Sequence, residues 1–435
     1  MTACAQTSPL EGSYWALGLP SVPNSAVSGG QLWDAVVVGA GFAGLSCSIE
    51  LAEAGMRVLV LDAGKIGEGA SSKAAGSLAN LPKAKLADLT KLYDAETAAM
   101  AYREYAAARQ FTENLVARLG IDCDLQTSLW RVLGAHTEKA FRRLRADAAT
   151  IRVKLPDTRV LERSELGEFI GSSSYRGGLL VPDSATVNPA KLHFGLAAHA
   201  RDLGVSILQD SRVSHIEEDA GAHEVTTSDG FVARARQLVI ATNAQTADWP
   251  EPHLAELASH IAAVPSFVAV TETLPAARVR RIIQGAHIFG DSCKVLNYLA
   301  LAPCGSRIVL SSRAGFQEGT TWHKAQRIHA DMATRFPALE GTRIEHYWSG
   351  RFAITEDLVP HIGHTGSMHW VLGCCGTGIT LANYLGYKAA RSVLGADDAS
   401  TVFSMPLRKV PVWKRKPAVL GAAIRAYRVY DRFMN

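Results

Sequence analysis

Three glycines, Gly39, Gly41 and Gly44, follow an apolar run from Ala35 to Val38 and precede a stretch with apolar residues at Leu45, Ile49 and Leu51. A second apolar run, Val58 to Leu61, ends in Asp62. Strand, tight turn, helix, strand and terminal acid, all within about thirty residues, make up the dinucleotide-binding fingerprint. The chemistry it predicts is anion capture. Gly39 permits the sharp turn, Gly41 lets backbone approach a pyrophosphate, and Gly44 lets the helix lie close to the strand. The helix start, with Phe42 and Ala43, offers free N–H groups and a partial positive charge. Asp62, followed by Ala63, can accept hydrogen bonds from a ribose diol.

A second glycine corner lies late in the chain. The run Trp370 to Leu372 reads as a strand that feeds Gly373 to Gly378, and an amphipathic pattern then continues to about Leu394. Gly376, Thr377, Gly378, Ile379 and Thr380 therefore open another helix suited to negative charge. Directly after the first acid comes a loop of small residues, Lys65 to Ser77, containing Gly69, Ala70, Ser71, Ser72 and Lys73. Such a loop can pass close to a flat ring with no side chain intervening.

These corners need elements to hold them. The spacing predicts helices over about 85–119 and 137–153, with a strand near Ser128 to Leu133. Val187-Asn188-Pro189 leads into a helix ending near Gly204; strands follow at Val205 to Leu208, at Ser211 to Glu217 including Val213, and at Leu238 to Asn243 including Ala241 and Thr242. The stretch from Ser266 to Phe316 is strand-rich and suggests a separate antiparallel sheet. The first 32 residues, rich in Ser, Pro and Gly, read as an arm anchored by Tyr14 and Trp15.

At 435 residues, with 48% hydrophobic and 20% charged, the chain is an ordinary globular composition too long for one core. It has no apolar run long enough to span a bilayer and no secretory-type start, and its odd seven cysteines lack CxxC spacing, so a cytoplasmic location is expected. Cys374 and Cys375 read as small residues before the turn, with a vicinal disulfide as the alternative. Segment 406–435 holds eight basic residues and one acid, +7, leaving −3 for the rest of a chain whose total is +4. That tail could touch an anionic membrane surface peripherally or clamp an acidic body, its own or a neighbour's. No nucleic-acid reader is visible.

Taken together, these blocks resemble the FAD-dependent D-amino-acid oxidase superfamily, in the branch of γ-glutamylputrescine oxidase and the sarcosine and glycine oxidases. The resemblance is carried by Gly39-x-Gly41-x-x-Gly44 with Asp62, Gly69-Ala70-Ser71, Val187-Asn188-Pro189, Ala241-Thr242-Asn243, Trp348-Ser-Gly350 with Thr355, Asp357, Pro360 and Gly363, and Gly376-Thr-Gly378. It implies an α/β fold, with a Rossmann-like FAD domain (33–84, 185–245, 345–400) interleaved with an α+β substrate domain (85–184, 246–344) that carries a mixed antiparallel sheet. Segments 1–32 and 401–435 remain as arm and basic extension. It further implies hydride transfer from a C–H beside an amine nitrogen to the flavin, hydrolysis of the imine, and reoxidation by oxygen with release of peroxide. A dehydrogenase passing electrons to a quinone or flavoprotein, and a non-catalytic flavin-binding assembly protein, are the alternatives.

Two departures bear on this. Sarcosine-oxidase-type members attach flavin through a cysteine where this chain has Gly350-Arg351, so non-covalent FAD is expected. Their oxygen-activating lysine matches Val309, which leaves Lys73 as a substitute. Tyr298 matches a position from which family members project an aromatic toward substrate, and Arg351 could grip an acidic substrate group. For each of the three a bland reading stands beside the functional one: a solvated lysine, a core aromatic, a surface ion pair. His361, His364 and His369 form no convincing metal set.

Overall fold

Fully buried β-branched runs need cover on both faces, and the chain supplies it with helices on an eight-stranded sheet. The computed structural model describes residues 8–153, 155–219, 221–249, 252–313 and 319–433. In that sheet Leu32–Val38 pairs in parallel with Val58–Leu61 on one side and Val232–Ile240 on the other. Ser206–Leu208 and Met368–Leu372 extend it in parallel, and His361–Thr365 closes one edge. Ala35, Val36 and Val37 at its centre are completely buried. The helices Phe42–Glu53, Pro189–Asp202 and Gly378–Val393 pack on it. Asn188 starts the second of them by accepting from the N–H groups of Ala190 and Lys191.

The second sheet has ten strands and is mixed, as expected. Its order is Leu10–Glu11, Ile344–Ile354, Ala262–Thr271, Ile308–Ser312, Asn297–Leu301, Ile288–Asp291, Gln126–Ala135, Gly177–Thr186 and Ser77–Leu78, with Arg159–Glu162 alongside Gly177–Thr186. Two pairings in it are parallel, Leu10–Glu11 with Ile344–Ile354 and Ile288–Asp291 with Gln126–Ala135.

Three expectations need correction. The return to the nucleotide-type sheet, expected at 345, comes only after Ile344–Ile354, because that strand pairs along its length with Ala262–Thr271. The expected helix over 85–119 is two, Leu86–Leu92 and Ala95–Arg118, since the Asp94 carboxylate caps the second by accepting from Thr97 N–H. The strand expected from Leu238 begins at Val232, with Ala222–Thr227 beside it. Its first half alternates Ala233 and Ala235 with Arg234 and Arg236, a pattern too weakly apolar to read as a strand.

Both termini grip the body. Trp15 is buried, its indole donates to the Ala74 carbonyl at 2.9 Å, and its ring meets Trp348 edge-on. At the other end, the carboxylate of Asp431 in the helix Pro417–Phe433 accepts from the backbone N–H groups of Lys294 and Val295, each at 2.9 Å. Lys414 pairs with Glu356 and Lys409 with Glu256. The basic tail thus clamps its own chain, while Trp413, Tyr427 and Tyr430 face outward. Among the described residues no helix is long and apolar enough to cross a membrane. Removing a buried tryptophan costs about 3–5 kcal/mol. Urea unfolding of Trp15→Ala is expected to show a loss of that order, with Trp413→Ala, on an exposed ring, within about 0.5 kcal/mol of the parent.

Candidate functional site

The first corner is tight enough to exclude any side chain. Gly39 has φ +106°, and a Cβ there would lie 2.8 Å from the Ala241 carbonyl oxygen. A Cβ on Gly44 would lie 1.8 Å from the Gly39 carbonyl oxygen, so the third glycine sets the closeness of helix and strand. The loop is stapled from below. Asp62 accepts from Ala40 N–H at 2.7 Å and Gly64 N–H at 2.9 Å, and Ser71 Oγ accepts from Phe42 N–H at 3.0 Å. Burial outweighs these bonds and raises the Asp62 pKa. Beneath them the buried His193 donates from Nε2 to the Ala40 carbonyl at 2.6 Å, which leaves Nδ1 to accept from Ser72 Oγ at 2.8 Å.

The second corner is organised by Asn243. Its Oδ1 accepts from Gly373 N–H at 3.1 Å and Cys374 N–H at 3.4 Å. Asn243, Cys375, Gly373 and Gly376 all take positive φ, so the chain turns sharply before the helix. Cys374 and Cys375 are free thiols. Neither Gly41 nor Thr377 caps its helix with a side chain, although Ser71 reaches the Phe42 N–H at the first start. A Cβ on Gly386 would lie 2.2 Å from the Ala43 carbonyl oxygen, so the two helices cross in backbone contact. Their N-termini open into one cavity of about 980 Å³, at the upper end of the range for ligand sites.

The ten-stranded sheet roofs this cavity with Arg131 and Leu133, Tyr298, Ser311, Ser266 and Val268, and Gly350 and Phe352, and Arg313 joins them one residue past the strand Ile308–Ser312. Arg131 donates to Ser77 Oγ, while its Nε has no partner among the described residues. Arg313 lies over the Phe352 ring, 5.4 Å from its centroid. Among the described residues neither arginine forms an ion pair, and burial lowers both from the usual arginine range. Burial raises the pKa of Tyr298, although Arg131 and the Ser77 hydroxyl oppose the shift.

The cavity lining includes Gly39, Gly41, Phe42, Ala43, Asp62, Ala63, Gly69, Ala70, Ser71, Lys73, Val213, Ala241, Thr242, Tyr298, Gly350, Arg351, Gly376, Thr377, Gly378 and Ile379. Gly44, Ser72 and Thr380 stand behind it. Ser72 is engaged with His193, and the Thr380 hydroxyl donates to the Ala79 carbonyl. Arg351 is half-exposed, with its guanidinium already gripped by the Asp248 carboxylate at 2.5 and 3.0 Å. The surface ion pair, not a free substrate clamp, is the outcome there. Val309 packs in the cluster of Trp15 and Trp348; two residues on, Ser311 reaches the cavity. His361 pairs with Asp357 at 3.0 Å instead of facing His364 and His369 as a set. Arg131, Arg313 and His193 were not among the expected site residues, and Asn243 was expected only as the end of a strand. The one local signal was a charge amid the apolar strand Leu129-Trp-Arg131-Val-Leu133.

Comparison with known proteins agrees with this geometry. The family profile described as FAD dependent oxidoreductase matches residues 34–392. The chain is 26% identical over 378 residues to the probable oxidoreductase OrdL of Haemophilus influenzae, covering 85% of each chain. It is 26% identical over 373 residues to the gamma-glutamylputrescine oxidoreductase of Escherichia coli, covering 85% of this chain and 86% of that one. The crystal structure of glycine oxidase from Geobacillus kaustophilus superposes with a TM-score of 0.74 at 22% identity, over 87% of this chain and 99% of that one.

Burial pushes His193 from 6.5 down to about 4. Between those values the unfolded chain holds a proton that the folded chain lacks, so stability falls as pH falls through the window, by about 1.4 kcal/mol per pH unit. In urea unfolding at pH 7 and pH 5, His193→Gln is expected to lose about 2 kcal/mol less between the two than the parent does.

Proposed function

The chain belongs to the FAD-dependent oxidoreductase family, and on that premise we propose that it oxidises the C–N bond of an amine that carries a carboxylate, with Arg131 as the carboxylate holder. The residues fit the cofactor. A cradle that a Cβ would fill, two helix starts without an N-cap side chain and an acid at the strand end are the donor and acceptor set for a pyrophosphate, a ring oxygen and a ribose. Gly39 to Ala43 and Ser71 would hold the pyrophosphate, Asp62 the ribose, and Gly376 to Ile379 the polar edge of the ring. FAD supplies the electron sink.

The observation that carries the substrate reading is Arg131, a partly buried cation that lines the cavity without an acid partner among the described residues. An uncompensated buried charge costs several kcal/mol, and a substrate carboxylate on its fork offsets that cost. The same cation, with Arg313, disfavours an ammonium nearby and so keeps the amine as the free base from which hydride can leave. Lys73 and Tyr298 border the same space, where the Tyr298 hydroxyl would orient the amine. That the E. coli relative is a gamma-glutamylputrescine oxidoreductase and a 25% identical Bacillus licheniformis relative a glycine oxidase supports an amine donor.

Oxygen is the acceptor in this reading, with peroxide as product. One observation favours a quinone or flavoprotein acceptor instead: Val309 lies under two tryptophans, so that strand position offers no cation for oxygen. Anaerobic mixing with a panel of carboxylated and plain amines is expected to bleach the flavin with the carboxylated members, and admitting air to release one peroxide per turnover. A flavin that no amine bleaches would sink the proposal. Arg131→Met is expected to raise KM for carboxylated amines about 100-fold with FAD content unchanged. Acid precipitation is expected to free the FAD into the supernatant, since Gly350 stands where a covalent cysteine link would form.

A further inference from the structure

We propose that Arg313 forms a second anion subsite, so that the substrate is an amine flanked by two anionic groups, one on Arg131 and one on Arg313. This deepens the reading above and rests on it for the amine, though not for the two-point grip itself.

The register of the roof sets the spacing. Arg131 lies opposite Ile288, Ile288 opposite Ala300, and Ala300 opposite Val309, so three strand spacings separate Arg131 from the strand that leads to Arg313. Arg313 lies four residues beyond Val309 along that strand. With strands about 4.8 Å apart and about 3.4 Å per residue, the two Cα atoms lie roughly 20 Å apart on a diagonal, and the guanidinium of Arg131 turns to Ser77 while that of Arg313 lies over Phe352. They cannot close on one carboxylate. Tyr298, opposite Ser311, falls between them on the same diagonal. The roof therefore presents cation, neutral hydroxyls and cation in line.

The chemistry of each end is the same. Arg109, which is buried, shows how this chain treats a guanidinium that only holds the fold: Glu113 and Asp183 both pair with it. Arg131 and Arg313 have no such partner among the described residues, and both face the cavity. Arg313 lies over the face of Phe352, which stabilises a cation without neutralising it. A carboxylate or phosphonate at each end of the ligand supplies the two missing counter-charges. An amine between them would sit beneath Tyr298 and beside the Ser266 and Ser311 hydroxyls, which lie 3.4 Å apart.

Binding of saturated dicarboxylic acids to the FAD-loaded enzyme, followed by the perturbation of flavin absorbance, tests the grip without turnover. The expected result is an affinity maximum at a chain several methylenes long, about 30-fold tighter than the monocarboxylic acid of equal length. Arg313→Met, and separately Arg131→Met, should each reduce that advantage to less than about 3-fold, while Arg313→Lys should retain part of it. Equal affinity for mono- and dicarboxylic acids overturns the proposal, as does an Arg313→Met enzyme that weakens both classes alike or shifts the flavin midpoint potential. A second arm compares N-(ω-carboxyalkyl)glycines with N-alkylglycines as reductants of the flavin. Failure of all of these to reduce it, with the dicarboxylate preference intact, overturns the amine reading and leaves the subsite standing.

Discussion

The contact between Ala43 and Gly386 is the constraint on which the site depends. Two helices from opposite ends of the chain meet there with no side chain between their backbones. Helix starts normally face solvent or a cap; here their crossing turns both toward one cavity, and neither start is closed by its own N-cap side chain. A Cβ at position 386 would wedge the pair apart and separate the two donor sets. Everything around them serves to keep that convergence: Asn243 holds the second turn through Gly373 and Cys374, and His193 holds the first through Ala40.

Against that polar floor the roof is built from charge left unpaired. Guanidinium groups taken out of water cost several kcal/mol unless something compensates them. The chain pairs Arg109 with two acids yet leaves Arg131 and Arg313 without one among the described residues. Stability alone does not explain the difference, since the same sheet accommodates neutral residues at Leu133, Ser266 and Val268 on the same face. The cost is local to the surface that faces the ligand, where strain and unmet polarity concentrate in proteins that bind.

The first corner was legible because its parts are neighbours in sequence: two apolar runs, three spaced glycines and an acid specify a βαβ unit without reference to anything distant. The second corner was legible for the same reason, and the mixed sheet followed from resemblance and from strand-rich spacing. The roof was not. Arg131 joins Tyr298 and Arg313 on one face only through the pairing of Gln126–Ala135 with Ile288–Asp291, strands more than a hundred residues apart in sequence, and no local pattern encodes that pairing. Arg351 misled in the opposite sense: its residue type suited substrate binding, but Asp248, about a hundred positions away, reaches it first. Asn243 looked like a strand end, and only its positive φ and its bonds to Gly373 and Cys374 show what it holds.

The floor and the roof belong to different sheets, so something must fix their separation, and the small-residue loop after Asp62 is where this happens. Trp348, on the roof sheet, donates its indole N–H to the Lys73 carbonyl, and Trp15, on the arm, donates to the next carbonyl, Ala74. The two rings meet edge-on and bury Val309 between the sheet and the arm. Small side chains in the loop let both indoles reach its backbone, and Ser71 and Ser72 tie its other side to the glycine turn through Phe42 and His193. The arm is therefore part of the site's dimensions. It sets how far the roof cations stand above the floor, a distance that neither sheet defines alone.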